Sequence, residues 1–92
     1  MLSKIPIKSG KIGKKSTDME MLRVAIIAEL HAMNLHEQLA ASTEDEKLKE
    51  VLLDIAREEK THVGEFQALL PQRDEEQVEE LKKARKEVEA KK

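Results

Sequence analysis

Ile55-Ala56-Arg57-Glu58-Glu59-Lys60-Thr61-His62-Val63-Gly64-Glu65-Phe66 decides how this chain is read. It is the middle of a stripe running Leu48, Leu52, Ile55, Glu59, His62, Phe66, Leu69, spaced as the buried face of one helix. The stripe is apolar at its ends and ionisable at its centre. Glu59-Lys60-Thr61-His62 is a Glu-x-x-His segment, which sets a carboxylate and an imidazole on adjacent turns of one face. A buried carboxylate without a partner costs several kcal/mol or neutralises by a pKa shift. No Lys or Arg lies on the stripe to pair with Glu59. A metal cation would remove the penalty and use the acceptor atoms. The competing reading is a solvated pair on a rotated face; Glu58, also one turn from His62, competes with Glu59 but lies off the apolar stripe.

Upstream, a second stripe has the same character: Leu22, Ile26, Glu29, Met33, His36, Leu39/Ala40. Thr17-Asp18-Met19-Glu20 reads as a capping box, so the first helix is expected over about residues 18–41. Thr43-Glu44-Asp45-Glu46 reads as another, starting the second helix near residue 44, and Pro71 should end it. A break of about two residues, Ser42 and Thr43, forces an antiparallel hairpin. Asp74 and Gln77 open a third, shorter helix to about residue 90, with Val78, Leu81 and Val88 as its thin apolar stripe. The charge run over residues 75–92 reads as a solvated helix with pairs such as Glu79–Lys83. The expected organisation is a basic flexible arm over 1–16, a helical hairpin over 17–71 and a peripheral helix over 72–92. The expected fold class is all-α: an antiparallel two-helix hairpin plus a short C-terminal helix, dimerising into a four-helix bundle.

Dimerisation follows from the ligand arithmetic. Glu29 lies 14 residues before Thr43 and Glu59 lies 16 after it, so their backbone heights agree within roughly 3–5 Å at ~1.5 Å per residue. His62 sits one turn further. Di-iron and di-manganese bundles take one Glu from each of two helices and Glu-x-x-His from each of the other two. This chain supplies half of that set: Glu29, Glu59 and His62. A twofold dimer supplies the rest, and four glutamates then balance two Fe(II) ions. Carboxylate-rich donors with one imidazole per metal suit iron or manganese. His36 shares the ligand face but lies about 10 Å along the axis from Glu29, too far for the same ion. It reads as a core or interface histidine, or as a neighbour of the metal site. His31 points to another face, and Met19, Met21 and Met33 read as packing.

Composition narrows the function classes. At 92 residues the chain holds one small domain, and a lone hairpin of this size buries little apolar surface. Charged residues make up 39% of it, yet the net charge is −2, and Phe66 is its one aromatic residue, which argues against a nucleic-acid binder. No apolar run reaches the length of a membrane span, and no secretory signal is visible. The absence of cysteine excludes disulfides and thiolate metal sites and fits a reducing cytoplasm.

The segments Ala25-Ile26-Ile27-Ala28-Glu29-Leu30 and Ala56-Arg57-Glu58-Glu59-Lys60-Thr61-His62 resemble the encapsulated ferritins, ferritin-like cargo proteins of encapsulin nanocompartments. The resemblance covers about residues 17–71. It implies a homodimer with an inter-subunit di-iron ferroxidase centre, further association into a ring, and a place in the cytoplasm inside an encapsulin shell. Glu29, Glu59 and His62 would be the iron ligands and catalytic residues. Two helices enclose no cavity, so the shell would be the iron store. The chain departs from the family at Leu35 and His36, where an aromatic pair ending in Tyr is frequent. It departs again at Ala28 and His31, where some members carry acidic residues for metal uptake. Ser9-Gly10-Lys11-Ile12-Gly13 is faintly similar to encapsulin-anchoring peptides. No shell domain follows Lys92, so the chain is read as free-standing or as a piece trimmed from a shell fusion. Two alternatives stand beside ferroxidase. One is a non-enzymatic hairpin dimerisation or adaptor module. The other is a rubrerythrin-like peroxidase, which normally needs two Glu-x-x-His segments in one chain.

Overall fold

The computed structural model describes residues 14–91, with side chains described from residue 17 to 91. Three helices follow one another: α1 (Lys14–Ser42), α2 (Glu46–Leu69) and α3 (Glu75–Glu89). Among the described residues there is no strand. Helices α1 and α2 pack along each other as the hairpin expected from the short connection.

Two boundaries differ from expectation. Thr17 does not cap α1, because Lys14, Lys15 and Ser16 are already helical. Lysine is a good helix former, so nothing in Lys14-Lys15 stops the helix at Thr17. The last three residues of the expected arm therefore belong to α1, and residues 1–13 lie outside the described residues. The second helix starts at Glu46, not near 44, with Asp45 as its cap. The Asp45 carboxylate accepts the Leu48 N–H at 3.1 Å, while Thr43 Oγ1 accepts the Asp45 N–H at 3.1 Å. Asp outranks Thr as a helix cap, and here the threonine serves the bend that precedes it.

The far end of α2 closes as Pro71 requires. The Leu70 N–H still reaches Phe66 O at 3.2 Å, and the Arg73 guanidinium donates to Leu69 O at 2.7 Å, covering carbonyls left open at the helix end. Asp74 then caps α3 by accepting the Gln77 N–H at 3.0 Å, as Asp74 and Gln77 predicted. The same carboxylate receives Arg23 of α1 at 2.5 Å. This pair ties the start of α3 to the hairpin. Beyond it α3 does not pack along α1 or α2, and it leaves an open cleft of about 810 Å³ between Ile26, Ile27, Val78 and Leu81.

The hairpin has very little core of its own. Its buried apolar residues are Ala40 and Ala56, both small. Met21, Ile27, Leu30, Leu35, Leu39, Leu48, Val51, Leu53 and Leu69 are all exposed large apolar side chains. α1 is apolar on more than one side, a pattern that calls for burial on more than one side. Two helices cannot supply that.

Candidate metal centre

Four ionisable side chains form two pairs where the two stripes face each other. Helix α1 contributes Glu29 and His36; α2 contributes Glu59 and His62. His62 Nδ1 lies 3.3 Å from Glu29 Oε1, and His36 Nδ1 lies 2.8 Å from Glu59 Oε1. Glu59 is buried, only 8% exposed, although its neighbours Glu58 and Lys60 are exposed. Glu29 and His36 are half-buried, and the His62 ring is open to solvent. One step outward, Lys60 Nζ reaches Glu37 Oε2 at 3.2 Å and closes one edge of the hairpin.

These pairings follow from the direction of helical side chains. Each Cα–Cβ bond leans toward the N-terminus of its own helix. On α1 that is away from the hairpin bend; on α2 it is toward the bend. A side chain of α1 therefore meets one whose backbone sits further from the bend on α2. Glu29 is 13 residues from the end of α1 and His62 is 16 from the start of α2, a height difference of about 4.5 Å that the opposed leans close. Backbone heights alone matched Glu29 with Glu59. With the leans included, Glu29 meets His62; His36 and Glu59 are offset by seven residues, about 10.5 Å, and the reach of two long side chains adds to the leans to bring them together.

The contact between His36 and Glu59 is the one the stripe did not disclose. His36 was legible as a member of the ligand face, yet its distance was counted from Glu29, not from Glu59 on the facing helix. Glu58 is exposed and off the stripe, as expected, and His31 is exposed.

The two histidine contacts differ in kind. At 2.8 Å, His36 and Glu59 share a hydrogen bond. At 3.3 Å, His62 and Glu29 are beyond the usual hydrogen-bond range of about 2.7–3.2 Å. Two donor atoms each about 2.1 Å from a divalent first-row cation lie roughly 3 Å apart, so this second pair has the spacing of donors to one ion. Among the described residues no three His, Asp or Glu gather closely enough to hold a metal by themselves. The hairpin presents its donors in pairs.

On one flank these donors are bordered by apolar residues. Glu37 and Lys60 mark one edge of the hairpin; Leu35 and Glu58, one position to the other side of His36 and Glu59, mark the opposite edge. At helical spacing, Met21, Ala28, Leu35 and Leu39 of α1 share that edge with Leu48, Val51, Ile55, His62 and Leu69 of α2. Glu58 and Glu65 lie on the same edge of α2, so the face next to the carboxylates is a mostly apolar strip with an imidazole and two acids set into it.

The chain as a whole is similar to known proteins. The rubrerythrin family model matches residues 20–92. A ferritin-like–encapsulin shell fusion protein of Pyrococcus furiosus is 66% identical over 64 residues, which are 70% of this chain and 19% of that protein. The chain thus spans about a fifth of the length of this curated relative. The crystal structure of the encapsulated ferritin domain from Pyrococcus furiosus matches with a TM-score of 0.80 at 57% identity, covering 90% of this chain and 85% of that one.

Proposed function

The chain belongs to the rubrerythrin family of ferritin-like proteins, and from that premise we propose that it is a ferroxidase whose iron site is completed by a second copy of itself. The observation that carries the reading is the pair Glu29 Oε1 and His62 Nδ1, 3.3 Å apart beside an apolar face. Glu29, Glu59 and His62 of each copy would hold the metal, and two copies give four carboxylates and two imidazoles. That donor set fits iron: hard oxygen donors dominate, one nitrogen serves each ion, and the four negative charges match two Fe(II). Iron bound there supplies the electrons that reduce oxygen.

The protein's share is geometry and charge. Helix α2 presents Glu59 and His62 from adjacent turns, so both are fixed by one rigid element. Leu35, Leu39, Val51 and Ile55 would meet their counterparts across the dimer and keep bulk water from the donors. Dimerisation buries the apolar edge, and Ile27, Leu30 and Leu53 on the other side remain for further association into a ring. The chain has a single Glu-x-x-His segment, at residues 59–62, so a one-chain peroxidase site is not favoured. Storage of the oxidised iron falls to an encapsulin shell, in line with the fusion of a ferritin-like domain to a shell protein in the Pyrococcus relative. The basic segment that ends at Ser9-Gly10-Lys11-Ile12-Gly13 serves as the shell contact in this reading.

Aerobic titration of the metal-free protein with Fe(II) tests the proposal. Oxygen uptake and ferric absorbance should rise together and saturate near two Fe(II) per dimer. Iron oxidation no faster than in buffer would leave an adaptor role as the reading.

A further inference from the structure

The hydrogen bond between His36 and Glu59 has no place in the ligand set proposed above. Glu59 is the most buried carboxylate of the site, and its Oε1 is engaged by His36 Nδ1 at 2.8 Å. A carboxylate accepts only, so for this bond His36 must carry its proton on Nδ1. That leaves Glu59 Oε2 as the oxygen without this partner. Glu has three rotatable side-chain bonds and selects its own oxygen poorly; a partner on the facing helix removes that freedom. His36 is itself held, because its ring lies half-buried between α1 and α2. A phenol can donate to a carboxylate, and so can an Nδ1–H imidazole.

We propose that His36 is a positioning residue: its Nδ1–H fixes the Glu59 carboxylate across the hairpin and sets which oxygen Glu59 offers to the metal. This rests on the ferroxidase reading of Glu29, Glu59 and His62. Histidine and carboxylate groups that orient a metal ligand typically change metal affinity by 10–100-fold when removed. His62 makes no such bond: at 3.3 Å from Glu29 Oε1 it lies beyond the usual hydrogen-bond range.

The test compares wild type with His36→Leu, which keeps bulk and removes the donor, and His36→Tyr, which restores a donor. Anaerobic Co(II) binding by the full chain reads affinity and stoichiometry, and the Co(II) absorption band reads coordination. His36→Leu should bind Co(II) roughly 10–100-fold more weakly at unchanged stoichiometry, and His36→Tyr should recover most of the affinity. In the metal-free protein, nitrogen NMR of His36 should show the Nδ1–H tautomer. Affinity of His36→Leu within twofold of wild type, whatever its melting temperature, would reduce the contact to hairpin packing and overturn the proposal. Loss of bound Co(II) equivalents with a changed absorption band would make His36 a ligand, and would overturn it as well. Wild type that bound no Co(II) would remove the ferroxidase reading along with it.

Discussion

Leu39 offers the sharpest test of whether the apolar edge is where two copies meet. Its side chain is 45% exposed in the single chain. Complete burial of a leucine contributes about 2 kcal/mol, so close to 1 kcal/mol remains to be gained when a partner covers it. Leu39→Ala keeps a methyl's share of this, leaving a loss of about 0.7 kcal/mol per copy. A twofold interface counts the change twice, for ~1.4 kcal/mol, or roughly tenfold in the dimer dissociation constant. Alanine is the best helix former, so α1 itself should be unharmed, and circular dichroism at high concentration should be unchanged. Val88→Ala is the control, since Val88 is more exposed still but lies far out on α3. Sedimentation velocity over a hundredfold range of protein concentration gives the constants. A dissociation constant for Leu39→Ala within twofold of wild type, or an equal shift for Val88→Ala, would refute the placement of the interface.

Three further expectations concern the site and its supports. Glu59→Ala and His62→Ala should each lower iron oxidation to the rate of buffer while keeping helical content, measured by oxygen electrode and circular dichroism, because the stripe's ends carry the packing. Fe(II) added without oxygen should tighten self-association by about 2.7 kcal/mol for each iron bound at a hundredfold excess over its dissociation constant, visible by analytical ultracentrifugation; an assembly state indifferent to metal would mean that the apolar edge alone holds it. The Arg23 hydrogen bond, aided by the Gln77 N–H, holds the Asp74 carboxyl below its ordinary 3.8. A depressed carboxylate stabilises the fold above its unfolded value and loses that contribution as pH falls through the folded one. The tie between α1 and α3 should therefore be constant at neutral pH and weaken below about pH 4, with faster amide exchange at the start of α3, and Asp74→Asn should blunt that response.

The hairpin was readable because independent signals agreed. Two amphipathic stripes and the polar break at Ser42-Thr43 required the chain reversal, and Pro71 marked the far end of α2. Residues that could serve as caps were harder to rank, since Thr17, Thr43 and Asp45 are all of capping type. Only the backbone shows that α1 passes through Thr17 and that Asp45 holds Leu48. Glu29, Glu59, His36 and His62 were all visible as polar residues on apolar stripes. Their pairing was not, because it depends on the opposed lean of side chains in antiparallel helices and not on residue counts from the bend. The tie between α1 and the start of α3 was equally hidden, since Arg23 and Asp74 are 51 residues apart in the chain.

The same carboxylates that would bind iron explain why the hairpin is so thin a fold. Glu29, Glu59, His36 and His62 occupy the central positions of both inward stripes, where a free-standing hairpin would place leucine or isoleucine. Nine large apolar residues of α1 and α2 are exposed instead of packed between the helices. In the proposed dimer, that burial comes from a second copy. Pairing two such edges brings four glutamates toward one another, which opposes assembly until cations neutralise them. Metal occupancy and assembly become linked through one set of side chains, and the link has a sign: Glu29→Ala removes repulsion from the metal-free dimer and a ligand from the loaded one. Metal-free Glu29→Ala should therefore associate more tightly than wild type at neutral pH, while its gain on adding Fe(II) should shrink. Both shifts come from one sedimentation series with and without Fe(II). Weaker association of metal-free Glu29→Ala would show that Glu29 holds the fold through His62 and not the metal.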